Sequence, residues 1–182
     1  MARYAILVRG INVGTAKRVA MADLRAVLEE SGFSAVRTHL NSGNAVGTGN
    51  DGLDPAEAGA RVEEALAART GVSARTLVLT AGQLRTIAAG LPYAAEMAAV
   101  EKAGSRMMAH VMFADPDPAL LAEHDLTAID PGNVQLGERV VYQWCPNGLL
   151  ESPDVSGWIT KNLHVEVTTR NWNTIAKLAD LL

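Results

Sequence analysis

The succession of predicted secondary-structure elements restricts the possible folds of this chain more than any other feature. Strand-like and helix-like apolar patterns follow one another as β-α-β-β-α-β within residues 3–80, and the same succession returns within residues 107–169. This succession is that of the split βαβ, or ferredoxin-like, fold. The sequence therefore predicts an α+β protein with two ferredoxin-like lobes related by internal duplication.

Residues at the ends of the helical segments support the first lobe. Asp54 before Pro55 is typical of the start of a helix, and Gly71 is typical of its end. Thr80 followed three residues later by Gln83 is a capping-box pattern. We expect this pattern to open a bridging helix directly after the first lobe.

The middle of the chain predicts a boundary between the lobes. Residues 91–106 have an alanine-rich centre flanked by proline and glycine, and few periodic apolar contacts are implied there. We therefore predict a first domain over residues 1–92, which is the first lobe with its bridging helix. The second domain covers residues 93–182 and includes a C-terminal helix from Trp172 to Leu182.

Two segments of the second lobe are predicted from local patterns. Asp115 with Pro116 predicts the start of a short helix that ends near Glu123. The β-branched run Val165–Thr169 predicts the last strand, shortly before the C-terminal helix. The second lobe is thus expected to match the first in the order of its elements.

Charge is distributed unevenly along the chain. The net charge is −4, yet residues 1–92 carry +2 and residues 93–182 carry −6. A long nucleic-acid backbone is bound by extended basic surfaces, which this distribution does not provide. A small anionic or polar molecule is the partner that the charge distribution favours.

The cysteine content and the N-terminus predict a soluble, cytoplasmic protein. Cys145 is the only cysteine, so no disulfide can form within the chain. The apolar segment of residues 4–8 is short and is followed by Arg9, which is typical of a strand rather than a signal peptide. No apolar run reaches the roughly 20 residues that a membrane-spanning helix needs.

Three windows are rich in arginine, asparagine and glycine. They are Arg9–Gly14 after the first strand, Asn41–Asn44 at the predicted hairpin, and Thr168–Thr174 before the last helix. In the predicted topology the end of the first strand and the hairpin share one edge of the sheet. The candidate ligand-binding residues are Arg9, Gly10, Asn12, Gly14, Ser42, Gly43, Asn44, Arg170, Asn171 and Asn173.

These candidates divide into side chains that recognise a ligand and glycines that let the backbone approach it. The glycines permit backbone N–H groups to come close to an anion. Asn171 is also expected to cap the last helix by accepting from the backbone N–H of Asn173 or Thr174. Lys17 and Arg18 are expected on an exposed loop, where their charges would attract an anion.

Each candidate also has a purely structural interpretation. Arg170 would join the two lobes through carboxylates or carbonyls, and Arg9 would form an internal salt bridge. Ser42 and Asn44 are common turn residues. Whether Arg170 shares a pocket with Arg9 depends on how the lobes pack, and the sequence leaves both possibilities open.

Four windows together resemble the bacterial domain-of-unknown-function 1697 family. They are Arg9-Gly10-Ile11-Asn12-Val13-Gly14, Met21-Ala22-Asp23-Leu24-Arg25, Ser42-Gly43-Asn44 and Thr169-Arg170-Asn171-Trp172-Asn173-Thr174. The resemblance runs from end to end and implies two related α+β lobes. It implies no mechanism, because the activity of that family is not established. The chain departs from the family after Asn44, where Ala45, Gly47 and Gly49 replace larger apolar residues.

Familiar catalytic and metal-binding patterns are missing from the sequence. The Gly10–Lys17 segment lacks the Gly-Lys-Ser/Thr ending of a P-loop, and no dinucleotide-binding glycine pattern follows the first strand. The four histidines have no paired spacing, so we expect no metal site and no cofactor. Cys145 has no base nearby in sequence that would activate its thiol.

Three classes of function remain after these exclusions. The first is an enzyme or sensor that binds a small anionic or polar ligand through arginine and asparagine side chains. The second is a protein-interaction or scaffold module without catalysis. The third is a nucleic-acid binder, which the acidic second lobe and the few aromatic residues on the first sheet argue against. The ligand-binding class fits the candidate residues best, and the sequence specifies neither a substrate nor an oligomeric state.

Overall fold

The computed structural model describes residues 1–15 and 17–182 and has a mixed α+β architecture. The chain divides into two compact units, one of Met1–Arg85 with Lys177–Leu182 and one of Thr86–Ala176. Two four-stranded sheets and seven α-helices are present in the described ranges. The predicted α+β class is therefore confirmed, whereas the domain limits 1–92 and 93–182 stay a prediction.

The first unit contains four strands and the helices between them. They are β1 (Ala2–Val8), α1 (Met21–Glu30), β2 (Ser34–His39), β3 (Asn44–Gly49), α2 (Pro55–Thr70) and β4 (Thr76–Thr80). The helix α3 (Ala81–Ala89) follows, and by the division into compact units it starts in the first unit and ends in the second. The strand order across the sheet is β2-β3-β1-β4. All neighbouring strands are antiparallel.

Helix ends in this unit form where the sequence predicts them. The backbone N–H of Glu57 donates to Asp54 Oδ1 at 2.8 Å, and Gly71 ends α2 with a φ of 71°. The capping box is reciprocal. Thr80 N–H donates to Gln83 Oε1 at 2.9 Å, and Gln83 N–H donates to Thr80 Oγ1 at 3.2 Å. These bonds satisfy backbone groups that a helix leaves unpaired at its ends.

The small residues of β3 make room for two aromatic rings. Tyr4 and Phe33 pack edge to face with their ring centroids 6.0 Å apart. A Cβ at Gly47 would lie 3.3 Å from Phe33 Cβ, and one at Gly49 would lie 3.1 Å from Tyr4 Cε2. Larger residues at these two positions would displace the rings, so the small residues of β3 have a packing reason.

The second unit has the same number of strands as the first. Its elements are α4 (Ala94–Ala98), β5 (Met107–Met112), α5 (Pro118–Glu123), β6 (Val134–Gly137), β7 (Val140–Trp144), α6 (Val155–Asn162), β8 (Val167–Asn171) and α7 (Trp172–Leu181). The strand order is β6-β7-β5-β8, again with antiparallel neighbours. By the division into compact units, α7 starts in the second unit and ends in the first.

Two predicted boundaries in the second unit are wrong. α5 begins at Pro118 rather than Pro116, and its cap is Asp117, which accepts from Ala119 N–H at 2.8 Å. A residue before proline avoids the helical region, so Asp117 can cap a helix but not continue one. The last strand spans Val167–Asn171 instead of residues 165–169, because the sheet pairing runs up to the helix cap itself.

A buried polar cluster lies in the second sheet around His110. His110 Nε2 lies 2.9 Å from Gln143 Oε1, and Nδ1 lies 2.8 Å from Thr169 Oγ1. The Gln143 amide nitrogen donates to the Pro153 carbonyl at 3.0 Å, so its oxygen faces the imidazole. The neutral Nε2–H tautomer therefore gives His110, Gln143 and Thr169 matching hydrogen-bond donors and acceptors. Burial lowers the pKa of His110, while the Gln143 bond and the charge of Asp154 oppose that shift.

No helix in residues 1–15 and 17–182 combines the length and apolar character needed to cross a bilayer.

Candidate functional site

One edge of the first sheet brings together the end of β1, the β2–β3 hairpin and the start of β4. Val8 N–H donates to the Gly43 carbonyl at 2.7 Å, and Arg9 N–H donates to the Arg75 carbonyl at 2.8 Å. The windows Arg9–Gly14 and Asn41–Asn44 are therefore neighbours, as the topological argument predicts. The β4 side of this edge adds a second arginine beside Arg9.

Asn12 shapes the loop that follows β1. Its amide nitrogen donates to the carbonyls of Val19 at 2.8 Å and Asn41 at 2.7 Å, and its Oδ1 accepts from Val19 N–H at 2.9 Å. Its φ of 56° is a left-handed conformation that asparagine tolerates better than most residues. The side chain thus joins the loop to the hairpin through bonds within the protein.

The hairpin residues are likewise held by local bonds. Asn44 is completely buried, and its amide nitrogen donates to the His39 carbonyl at 3.1 Å and to Ser42 Oγ at 3.0 Å. Gly43 has a φ of 82°, and a Cβ there would lie 2.8 Å from the Val8 carbonyl oxygen. Only glycine allows the hairpin to approach β1 this closely.

A cavity of about 500 Å³ opens beside Arg9 at this edge. Its lining consists of Arg9, Gly10, Lys17, Glu63, Ser73, Ala74 and Arg75. Glu63 Oε1 accepts from Arg75 Nε at 3.1 Å and from the backbone N–H of Thr76 at 2.8 Å. Three cationic side chains and a single carboxylate give the lining a formal excess of two positive charges.

Sequence reasoning identified part of this lining and missed the rest. Arg9, Gly10 and Lys17 were expected near an anion, whereas Glu63, Ser73 and Arg75 were not singled out. The strand order of the sheet already implied that Arg75 lies beside Arg9. β4 pairs antiparallel with β1, so the residue before β4 must lie beside the residue after β1.

Gly14 of the first window and Arg18 of the loop that follows it lie outside the lining. Gly14 has a φ of 61°, and its carbonyl accepts from Arg18 Nη2 at 2.6 Å. Arg18, the second loop cation predicted to attract an anion, therefore folds back on its own loop. Of the two loop cations, Lys17 is the one that reaches the cavity.

The remaining three candidates belong to the second unit. Arg170 Nη1 donates to Thr168 Oγ1 and to the Thr169 carbonyl, both at 2.9 Å, and burial lowers the pKa of Arg170 to about 10. Asn171 Oδ1 accepts from the backbone N–H of Thr174 at 3.1 Å, so its predicted capping role is confirmed. Asn173 lies against Gly104, where any Cβ would collide with its carboxamide.

One edge of the second sheet repeats the backbone hydrogen bonds of this site, but the side chains at the matching positions carry different charges. Met112 N–H donates to the Arg139 carbonyl, and Phe113 N–H donates to the Glu166 carbonyl, both at 2.9 Å. These bonds repeat the pattern of Val8 with Gly43 and Arg9 with Arg75. Phe113 and Glu166 therefore occupy the positions that hold two arginines in the first sheet.

In the part of the chain that the structure describes, carboxylate, thiol and imidazole groups are not clustered for metal binding. Within residues 1–15 and 17–182, no group of three or more His, Cys, Asp or Glu side chains is placed to share a metal ion. Burial raises the pKa of the Cys145 thiol, which disfavours the reactive thiolate. The cationic cavity is thus the arrangement with the clearest chemical capacity, namely the binding of an anion.

The fold and this edge define an α+β protein with two four-stranded antiparallel sheets and a cation-lined cavity on the first. The chain belongs to the family described as "Protein of unknown function (DUF1697)", whose model matches residues 1–142. The family indicated by the four sequence windows is thereby confirmed.

A solved structure of a conserved bacterial protein from Streptococcus pneumoniae is similar to this chain. The TM-score is 0.62 at 21% sequence identity, and the match covers 99% of this chain and 98% of the other. At this identity the similarity concerns the fold alone. No functionally curated protein matches the sequence.

Proposed function

We propose that this protein binds a small anionic ligand in the cavity beside Arg9. The observation that carries the proposal is the lining of this cavity, which has a volume of about 500 Å³. The lining contains the cationic side chains of Arg9, Lys17 and Arg75 together with the carboxylate of Glu63. Guanidinium groups present several N–H donors in a fixed plane that suits carboxylate and phosphate oxygens. The proposal applies equally to an enzyme and to a ligand sensor.

The other candidates of the first lobe have supporting roles in this proposal. Gly10 has a φ of 69° and open space in front of its Cα, which favours close approach of a ligand to the backbone. Asn12 and Asn44 hold the loop and the hairpin in position beside the cavity. Ser42, Gly43 and Gly14 complete the proposed set in this lobe. Arg170, Asn171 and Asn173 stay proposed ligand residues of the second lobe.

We also propose that both lobes are ferredoxin-like and arose by internal duplication, with limits near 1–92 and 93–182. The strand orders β2-β3-β1-β4 and β6-β7-β5-β8 support this origin. The repeated backbone bonds at the two sheet edges support it as well. A cytoplasmic location is part of the proposal, and it is supported by the single buried cysteine.

Titration with inorganic phosphate and sulfate tests the ligand proposal. We expect the NMR chemical shifts of the backbone amides around Arg9, Lys17 and Arg75 to change. The change should saturate as expected for a single binding site. Arg9→Gln should weaken binding about tenfold or more, because it removes a charge-assisted hydrogen bond. Arg25→Gln is the matched control, since Arg25 is exposed on α1 and lies outside the lining. Equal binding by both variants, or shifts elsewhere, would contradict the proposal.

A scaffold function is the second candidate, and the internal bonds of Asn12, Asn44 and Asn171 favour it. In that case the polar windows serve only to stabilise the fold of the lobes. Two results together would support the scaffold function over ligand binding. Arg170→Ala would lose stability, and Arg9→Gln would bind anions as the wild type does.

A further inference from the structure

We infer that the Glu63 carboxylate occupies the place of an anionic oxygen of the ligand, and that a ligand which displaces it bonds to the hydroxyl of Thr76. This inference rests on the proposed function. It adds Thr76 to the binding residues of the cavity beside Arg9 and makes Glu63 a competitor of the ligand. It is carried by a buried hydroxyl that lacks a hydrogen-bond partner within residues 1–15 and 17–182.

The hydroxyl of Thr76 is an unsatisfied buried group. Thr76 is only 4% exposed, and its Oγ1 forms no hydrogen bond within the described ranges of the chain. A buried hydroxyl without a partner has given up its hydrogen bonds to water and destabilises the fold. Groups of this kind are rare in native proteins, and a functional role is one of the reasons for which they are kept.

The fold itself does not require a hydroxyl at this position. Val8 pairs with Thr76 in the first sheet, and Met112 pairs with Val167 in the second. The two pairs are equivalent, because the backbone hydrogen bond that follows each of them is also the same. Val167 is buried in an apolar core. Valine has the shape of threonine with a methyl group in place of the hydroxyl, so an apolar residue serves this strand position in the second sheet.

The hydroxyl lies close to the Glu63 carboxylate, which lines the cavity. Glu63 Oε1 accepts from the backbone N–H of Thr76 at 2.8 Å and from Arg75 Nε at 3.1 Å. Thr76 Oγ1 is three covalent bonds from the nitrogen of that N–H, so the two atoms are within about 4 Å of each other. Three donors are therefore close to one carboxylate oxygen, which accepts from two of them.

Helix α2 is fixed against Thr76, whereas the end of the Glu63 side chain can move. A Cβ at Gly59 would lie 2.6 Å from the Thr76 carbonyl oxygen, so the helix backbone packs directly on the strand. Glu63 is one helical turn further along α2, and its side chain is 28% exposed. A side chain that reaches solvent changes rotamer readily. Rotation of Glu63 therefore opens a path from the cavity to the donors that its carboxylate now occupies.

Exchange of the Glu63 carboxylate for a ligand oxyanion adds one hydrogen bond. The oxyanion takes over the bonds from Arg75 Nε and from the backbone N–H of Thr76, and it accepts a third bond from the Thr76 hydroxyl. The displaced carboxylate returns to water. One anionic group replaces another beside Arg75, so the exchange depends on the hydroxyl and not on an uncompensated charge.

Calorimetric titration of the full chain with inorganic phosphate tests the role of the hydroxyl. Thr76→Val should weaken phosphate binding about tenfold, because it removes a hydrogen bond to a charged group. Thr76→Ser keeps the hydroxyl and should bind as the wild type does. Equal binding by Thr76→Val and the wild type would overturn the inference.

Variants of Glu63 test the competition. Glu63→Ala should strengthen phosphate binding about fivefold, because no internal bond of about 1 kcal/mol has to be broken first. Glu64→Ala is the matched control, since Glu64 is its exposed neighbour on α2 and lies outside the lining. It removes the same charge and should change binding less. Weaker binding by Glu63→Ala would make Glu63 a support for Arg75 and refute the displacement.

Urea unfolding distinguishes a ligand-binding hydroxyl from a structural one. Thr174 has the same 4% exposure as Thr76, but its Oγ1 donates to Asn171 Oδ1 at 3.0 Å. Thr174→Val should therefore lower the urea midpoint, while Thr76→Val should leave it unchanged or raise it. An equal loss of stability in both variants would assign the Thr76 hydroxyl a structural partner, such as an enclosed water molecule, and the inference would fail.

The proposed function and this inference fail in different ways. If the wild type does not bind phosphate, the proposed function fails and the inference fails with it. If Arg9→Gln weakens phosphate binding while Thr76→Val leaves it unchanged, the proposed function holds and only the inference is refuted.

Discussion

Replacing Gly43 by alanine should destabilise the edge of the first sheet by an amount that the structure defines. The φ of 82° is left-handed, and a non-glycine residue there costs about 1–2 kcal/mol. The added Cβ would also lie 2.8 Å from the Val8 carbonyl oxygen. Relieving that clash moves the hairpin and breaks the Val8–Gly43 hydrogen bond of 2.7 Å, which adds about 1 kcal/mol. We expect a total of about 2–3 kcal/mol.

Gly52 provides a matched control for this prediction. Its φ of 80° is nearly that of Gly43, but nothing lies within 4 Å of the position of its Cβ. Gly52→Ala should therefore carry the backbone cost alone, about 1–2 kcal/mol. Urea unfolding of both variants, followed by circular dichroism, measures the difference. If Gly43→Ala is no less stable than Gly52→Ala, the close approach of the hairpin to β1 is refuted.

Three further predictions concern the second unit. The free energy of unfolding should fall as the pH drops below 6.5, the ordinary pKa of histidine, because folding lowers the pKa of His110 and the unfolded chain binds the proton first. The slope should not exceed about 1.4 kcal/mol per pH unit for this group, and His110→Gln should remove it in pH-dependent urea unfolding. Asn171→Ala should lose about 1 kcal/mol by removing a helix cap, while Asn171→Asp should retain most of it in thermal unfolding. Tyr142→Phe should cost about 1 kcal/mol in urea unfolding, because the buried hydroxyl donates to the Ile87 carbonyl at 2.7 Å.

Helix ends and turns were the most predictable parts of the structure. The Asp54 cap, the Thr80–Gln83 capping box and the Asn171 cap each involve residues that are at most three positions apart. Interactions of this range depend little on the rest of the fold. The one misplaced cap, Asp117, belongs to a sequence with two successive Asp-Pro pairs, where the rule for residues before proline decides between them.

The candidate site was predicted only in part. Residues Arg9 and Gly10 were found because they follow a strand and belong to an unusual window. Arg75 and Glu63 lie far from that window in sequence, and the residues next to them form no unusual pattern. They join it only because β4 pairs with β1 and α2 carries Glu63 to the start of β4.

The roles of the polar residues could not be read from the sequence for a related reason. An asparagine offers the same donors and acceptor to a ligand and to a backbone. The burial of Asn44 and the three bonds of Asn12 depend on how the hairpin and the loop meet, which is a tertiary property. The sequence likewise shows that β3 has small residues, but only the structure shows that they leave space for Tyr4 and Phe33.

The amino-acid sequence by itself determined the order of strands and helices, most of their ends and the family to which the chain belongs, because these depend on periodicity and on contacts within a few residues. The tertiary structure alone decided which charges meet. Arg9, Lys17, Glu63 and Arg75 surround one cavity because strand pairing and helix packing bring distant segments together, and no local pattern encodes that meeting.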